Sequence, residues 1–146
     1  EVLGIGLPMA TAIADAAAAR RDYLDETGGR YVHVIADGDI TSSGDLPKGI
    51  ACGADAAVLG APLAVAAEAP AGGWYWPSAA AHPSVPRGTM LPVSFGDRPS
   101  LDRVLTGPSD DPSGSLNLVG GLRRSMAKAG YSDLKEFQKV GLTVRA

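Results

Sequence analysis

Between Pro8 and Glu26 the apolar residues Ile13, Ala17 and Leu24 share one side, while Arg20, Arg21 and Asp25 fall on others. That spacing in an Ala-rich run predicts a helix with Pro8 in its first turn, stopped by Gly28-Gly29. Tyr31–Ile35 is β-branched enough for a buried strand, interrupted by His33. Asp37-Gly38-Asp39 follows. Ser43 is then a candidate N-cap for a helix reaching about Cys52, with Pro47 tolerable near the first turn and Gly53 at the close. Ala56–Leu59 predicts a second short strand ending in Gly60-Ala61-Pro62. The order helix, strand, helix, strand with short connections predicts an α/β fold with parallel strands.

The texture changes after Pro62. Leu63–Ala69 predicts a short helical turn. Most of the prolines lie between Gly72 and Gly114, so residues from about 70 to 115 read as a long Pro/Gly-rich insertion, with a short hairpin at Met90–Phe95. Ser100–Leu105 predicts one or two helical turns. Leu116–Ala129 predicts a helix bearing Arg123, Arg124 and Lys128, ended by Gly130. Ser132 is placed to cap a last helix through Leu134, Phe137 and Gln138, and Leu142–Val144 is strand-like. Residues 116–146 are thus C-terminal helices and a tail. The chain carries no internal repeat.

Composition narrows the function classes. The 146 residues carry a net charge of −3, with a pI near 5.2 and 45% hydrophobic content. That balance gives no electrostatic footprint for nucleic acid or an anionic membrane. No apolar run approaches a membrane span. The single cysteine, Cys52, excludes an internal disulfide framework and points to a reducing, cytoplasmic compartment. Two clear strands are too few for an independent parallel sheet, and the sequence opens on Glu1 without Met. Both features predict a portion of a larger protein whose N-terminal part lies upstream.

Glycines at the C-terminal ends of parallel strands let backbone N–H groups approach a phosphate closely, and in (β/α)8 barrels such a site forms after the last two strands. Gly38 and Gly60-Ala61 stand at those positions, and Asp37 is placed to accept hydrogen bonds from sugar hydroxyls. The same glycines also serve tight turns, and spacing alone leaves both roles open. Trp74-Tyr75-Trp76 suits either base stacking or filling a gap beneath the insertion. His33 and His82 stand apart from any acid or cysteine at ligand spacing, so no metal site is expected. Asp110-Asp111 reads as a solvated loop. Arg123, Arg124 and Lys128 read as a solvent face or a subunit interface. Gly4–Gly6 is too short for a dinucleotide fingerprint.

Five motifs, "VLGIGLP", "TAIADAA", "VIADGDI", "SGDLPKGIACGADAAVLGAPLA" and "LVGGLRRSM", occur in an order and spacing that resemble the IMP dehydrogenase/GMP reductase family, and most nearly its actinobacterial dehydrogenase-like paralogues. The likeness spans nearly the whole chain and is weakest in the middle loop. It implies the C-terminal part of a (β/α)8 TIM barrel with a flap insertion, usually in a homo-tetramer. It implies an NAD-linked oxidation of a purine nucleoside 5′-monophosphate, of the IMP to XMP type. By that resemblance Asp37 holds the ribose hydroxyls, and Gly38, Gly60 and Ala61 offer backbone amides to the 5′-phosphate. Trp74–Ala81 passes near purine and phosphate, with Trp76 and Ser78 as contacts. The nucleophilic cysteine would lie upstream of Glu1, so no catalytic residue is assigned here.

The departures from the family pattern cluster in one place. Asp39 replaces the second glycine of the usual Asp-Gly-Gly, which sets a carboxylate beside the proposed phosphate. The two anions repel unless Asp39 points away or a cation intervenes. Ala61 replaces a serine, Pro77-Ser78 a Gly-Met, and Met9 a glutamine. The flap has no Arg-Tyr pair, since Arg87 precedes Gly88 and Arg98 precedes Pro99. Two alternatives accompany the dehydrogenase reading: GMP reductase-type chemistry, and a catalytically silent paralogue that binds or regulates a partner. Cys52 reads as a small buried hydrophobe rather than a substitute nucleophile.

Overall fold

A computed structural model describes residues 6–76, 90–93 and 97–143. Helix α1 (Met9–Glu26) leads to strand β1 (Ile35–Asp37), helix α2 (Asp45–Ala51) and strand β2 (Ala56–Val58). Helix α3 (Ala61–Ala64), strand β3 (Trp74–Tyr75), strand β4 (Leu91–Pro92) and helices α4 (Leu101–Thr106), α5 (Leu118–Lys128) and α6 (Leu134–Phe137) complete it. β1 and β2 pair in parallel, with Ile35 opposite Ala56, Ala36 opposite Ala57 and Asp37 opposite Val58. Their connection is α2, the βαβ unit that the sequence order predicts.

The helices lie on one face of this pair. Ala36 is buried there with Ile13, Ile50, Ala51, Ala54, Met126 and Phe137. Because side chains alternate across a strand, Ile35 and Asp37 face the other way. Ile35 and Val58 are exposed on that second face, the one a barrel closes over. A smaller core joins Ala66, Val104 and Leu118 where α3, α4 and α5 meet. Among the described residues no helix is long and apolar enough to cross a membrane.

Several element boundaries differ from the sequence expectation, each for a local reason. The strand expected at Tyr31–Ile35 begins only at Ile35. Upstream of it, the Val34 N–H is taken by the Asp55 carboxylate at 2.9 Å rather than by a ladder. Gly44, not Ser43, precedes α2. The Ser43 N–H donates instead to the Gly114 carbonyl at 2.7 Å. Asp133, not Ser132, caps α6, accepting from the Lys135 and Glu136 N–H groups. Ser100 caps α4 by accepting from the Arg103 N–H. The turn expected at Leu63–Ala69 is the earlier helix α3. The expected hairpin strand at Met90–Phe95 is the two-residue β4, which pairs antiparallel with β3; Phe95 lies outside the described residues. Leu142 and Thr143 form no strand, and Val144 lies outside the described residues. Cys52 is half-buried rather than buried, packed at the edge of the main core.

Gly53 and Asp55 fix how α1 meets the strands. Gly53 ends α2 with φ of +117°, and a Cβ there would lie 2.5 Å from the Ala17 Cβ. The α1 helix therefore approaches as closely as this glycine allows. Arg20, one turn along α1, donates to the Gly53 carbonyl at 3.1 Å and to the Asp55 carboxylate at 2.6 Å. Tyr31 donates to Asp55 at 2.6 Å, the Gln138 amide donates to the same carboxylate at 3.2 Å, and Lys135 closes the cluster. Burial pushes the Asp55 carboxyl up, but the bonds from Lys135, Tyr31, Val34 and Gln138 outweigh it and hold the group below the usual carboxylate range.

Two outcomes follow for the full-length protein. Gly53→Ala forces both a strained φ and a steric overlap, and costs about 1–3 kcal/mol in urea unfolding. Asp55→Asn leaves Arg20 with a neutral partner and costs about 2–4 kcal/mol at pH 7. A depressed carboxyl contributes stability that is present above the unfolded pKa of about 4 and is lost as pH falls through the lower folded value. Wild-type stability therefore drops more steeply than that of Asp55→Asn below about pH 4. Equal acid slopes for the two proteins would refute the role given to Asp55.

Candidate functional site

Asp37 is the last residue of β1. Gly38 follows with φ of +110° and Asp39 with φ of +53°, so the chain turns through two successive left-handed residues. Gly38 suits that conformation freely; Asp is one of the few other residues that tolerate it. On the neighbouring strand the chain leaves Val58 and reaches Gly60-Ala61 at the start of α3. Since Asp37 pairs with Val58, both exits lie at the same end of the sheet. They enclose a cleft of about 380 Å³ whose lining includes Asp37, Gly38, Asp39, Gly60, Ala61 and Tyr75.

The structure thus brings together four of the six residues expected to contact a ligand: Asp37, Gly38, Gly60 and Ala61. Trp76 lines an adjoining apolar cavity of about 470 Å³ instead, with Trp74, Leu63, Pro70 and Leu101. Ser78 lies outside the described residues, as do His82 and Arg87. Tyr75 lines both spaces. Its hydroxyl rests on Gly60, 2.6 Å from where a Cβ would stand, with the ring at 3.3 Å. Sequence reading treated Trp74-Tyr75-Trp76 as one aromatic cluster. All three line the apolar cavity, and Tyr75 alone also reaches the cleft at Gly60.

The electrostatics of the cleft are set by what lies around it. Two carboxylates, Asp37 and Asp39, line it, and no Lys or Arg stands among its described lining residues. The start of α2 is committed elsewhere. Asp45 accepts from the Thr41 N–H at 3.2 Å and hydroxyl at 3.1 Å, and from the Ser42 N–H at 3.0 Å and hydroxyl at 2.8 Å. Lys48 donates to the same carboxylate at 2.9 Å. Burial raises the Asp45 carboxyl, while Lys48, Ser42 and Thr41 pull it further the other way, below the usual range. The Thr41 and Ser42 amides and the Lys48 ammonium are therefore occupied within the protein.

The remaining candidates do not converge here. Burial pushes the Cys52 thiol up, against a smaller pull from Lys48, so it rests protonated at the end of α2 and outside the cleft lining. His33 is exposed, with Nδ1 3.6 Å from Asp55 at the opposite end of the strands. Arg123, Arg124 and Lys128 are exposed on α5. Asp111 is tied to Ser113 and Ser115 within its own loop. Met9 replaces the expected glutamine and underlies the turn, its Cε 3.4 Å from a Cβ placed on Gly38. Among the described residues no group of acids, histidines and cysteine is arranged to hold a metal.

Comparison with known proteins fits this geometry. Residues 1–81, which include both strand ends, match the IMP dehydrogenase / GMP reductase domain. The chain is 81% identical over 144 residues to an uncharacterized oxidoreductase of Mycolicibacterium smegmatis, covering 99% of this chain and 38% of that protein. It is 35% identical over 160 residues to the inosine-5′-monophosphate dehydrogenase of Aquifex aeolicus, covering 99% of this chain and 31% of that enzyme. Among solved structures, an IMP dehydrogenase/GMP reductase-like protein from Corynebacterium glutamicum superposes with a TM-score of 0.88 at 62% identity, over 98% of this chain and 38% of that one. The chain therefore spans well under half the length of these relatives.

The contact between Gly60 and Tyr75 is directly testable. Gly60→Ala drives its methyl into the phenol and costs about 1–3 kcal/mol. Adding Tyr75→Phe removes the atom it strikes first and recovers at least half of that loss. A double-mutant cycle in the full-length protein checks this, and additive losses would show that the two residues do not touch.

Proposed function

We propose, because this chain belongs to the IMP dehydrogenase/GMP reductase family, that it forms the ribose and phosphate side of a purine-nucleotide pocket in an IMP dehydrogenase-like oxidoreductase. The observation that carries this reading is the convergence of both strand exits on one cleft. Asp37 supplies a carboxylate to the 2′- and 3′-hydroxyls, whose O–H groups donate to it. Gly38, Gly60 and Ala61 supply backbone N–H groups to the 5′-phosphate, and the Tyr75 hydroxyl stands over Gly60 as a further donor. The nucleophile for the purine ring is assigned to no residue of this chain. The homo-tetramer and cytoplasmic setting implied by the family accompany the same reading.

NAD is the hydride acceptor that the family implies. Its pyrophosphate is an obligate dianion, and the cleft presents two carboxylates without a cation among its described lining residues. These residues do not suit a pyrophosphate.

Thermal denaturation of the full-length protein with IMP, GMP and XMP, each with and without NAD, at pH 6 and pH 8, tests the reading. Ligand binding to the folded state raises the midpoint, by about 2.7 kcal/mol of added stability at 100-fold excess over Kd. IMP is expected to give a saturable rise, and Asp37→Ala to weaken it at least tenfold. No shift with any nucleotide at millimolar concentration, at either pH, would overturn the nucleotide reading in favour of a silent paralogue.

A further inference from the structure

We propose that Asp39 is a specificity-determining residue that makes this pocket take the nucleotide as its phosphate monoanion, the P–OH donating a hydrogen bond to the Asp39 carboxylate. This rests on the nucleotide reading above and goes beyond it by naming the form of ligand bound.

Three observations converge. Asp39 lines the same cleft as Gly38, Gly60 and Ala61, the space assigned to the phosphate. Its backbone is held at φ of +53°, directly after the left-handed Gly38, which fixes where the side chain leaves the chain. Among the described residues lining the spaces beside Asp39, the compensating charge is already committed. Asp39 also borders a second cavity of about 340 Å³ with Pro8, Met9, Ile40, Asp45 and Lys48. The one cation there, Lys48, is paired with Asp45.

Among the described residues, the charged and titratable groups facing Asp39 are few. From β1 comes Asp37, a second carboxylate. From α2 come Asp45 and Lys48, neutralising one another. From β3 comes the Tyr75 phenol, a neutral donor. The described lining residues from α1 and α3, including Met9, Ala61 and Pro62, carry no charge. A phosphate dianion entering this space meets like charge without relief. A monoester phosphate can escape that repulsion, because its second ionisation lies near pH 6. Its monoanion carries one negative charge fewer and one O–H, and an O–H to carboxylate bond is among the short, strong hydrogen bonds. A diester or pyrophosphate has no such proton to offer near neutral pH.

The sign of the pH dependence follows by linkage. Binding raises the phosphate's second pKa, so affinity is fully present below about pH 6 and is lost as pH rises toward the raised value in the complex. Calorimetric titration of the full-length protein with IMP, and with inosine as the probe lacking phosphate, reads this out between pH 5.5 and pH 8. IMP affinity is expected to fall on the order of 50-fold across that range, while inosine affinity changes less than threefold. Asp39→Asn and Asp39→Gly both accept the left-handed backbone. Each is expected to flatten the IMP profile to less than fivefold and to bind IMP more tightly than wild type at pH 8. A wild-type IMP profile that is flat, or a slope retained in both variants, overturns the proposal while leaving the nucleotide pocket standing. Failure of both IMP and inosine to bind at any pH overturns the pocket and the proposal together.

Discussion

The two strands are locked to each other by one residue pair just before they begin. Asp55 donates its N–H to the Val34 carbonyl at 2.7 Å, and its carboxylate takes the Val34 N–H at 2.9 Å. That exchange sets the register one step later, Ile35 against Ala56, and every following pair obeys it. A slip of one residue would turn Ala36 out of the core and Ile35 into it. Asp55 also gathers Arg20 from α1 and Lys135 and Gln138 near the end of the chain. One side chain therefore fixes strand register, helix placement and the docking of the C-terminal helix.

The register has a second consequence at the far end. With Asp37 opposite Val58, Gly38-Asp39 and Gly60-Ala61 leave the sheet side by side and share a cleft. The ends of the strands thus divide their work. The N-terminal end carries a charge network satisfied within the protein, the kind of feature that serves stability. The C-terminal end carries two exposed acids, Asp37 and Asp39, beside glycines that the turn and the Tyr75 contact require, and such strand ends are where a barrel places its site.

Much of this was legible in the sequence, and the reasons are local. α1 was readable because Ile13 and Ala17 repeat at helical spacing, and both are buried. The βαβ order was readable because glycines punctuate it at Gly28-Gly29, Gly38, Gly53 and Gly60. Strand β1 was displaced because Tyr31–Val34 looks like a strand by composition yet spends its polar groups on Asp55, a partner 21 positions from Val34 that no local pattern announces. The α2 cap was misread for a similar reason. Asp45 reaches back from inside the helix to Thr41 and Ser42, leaving Ser43 to pair with Gly114. Of the site, the strand ends alone grouped Asp37 with the glycines and left their role open; the binding roles came only with the family resemblance. Tyr75 was not, because its contact with Gly60 depends on β3 folding back over α3.

Asp39 separates what the fold requires from what the site requires. A left-handed residue at this turn is a backbone demand, and glycine meets it with less strain by roughly 1 kcal/mol. Nothing in the core uses the Asp39 side chain: it is exposed, and the buried residues beneath the turn are apolar. The fold would be served as well or better without a carboxylate here. On the proposed reading, a side chain that the backbone tolerates at a cost, in a cleft the register builds, has its consequence in the ligand. The chemistry of that cleft follows from the acid at its edge as much as from the glycines that open it.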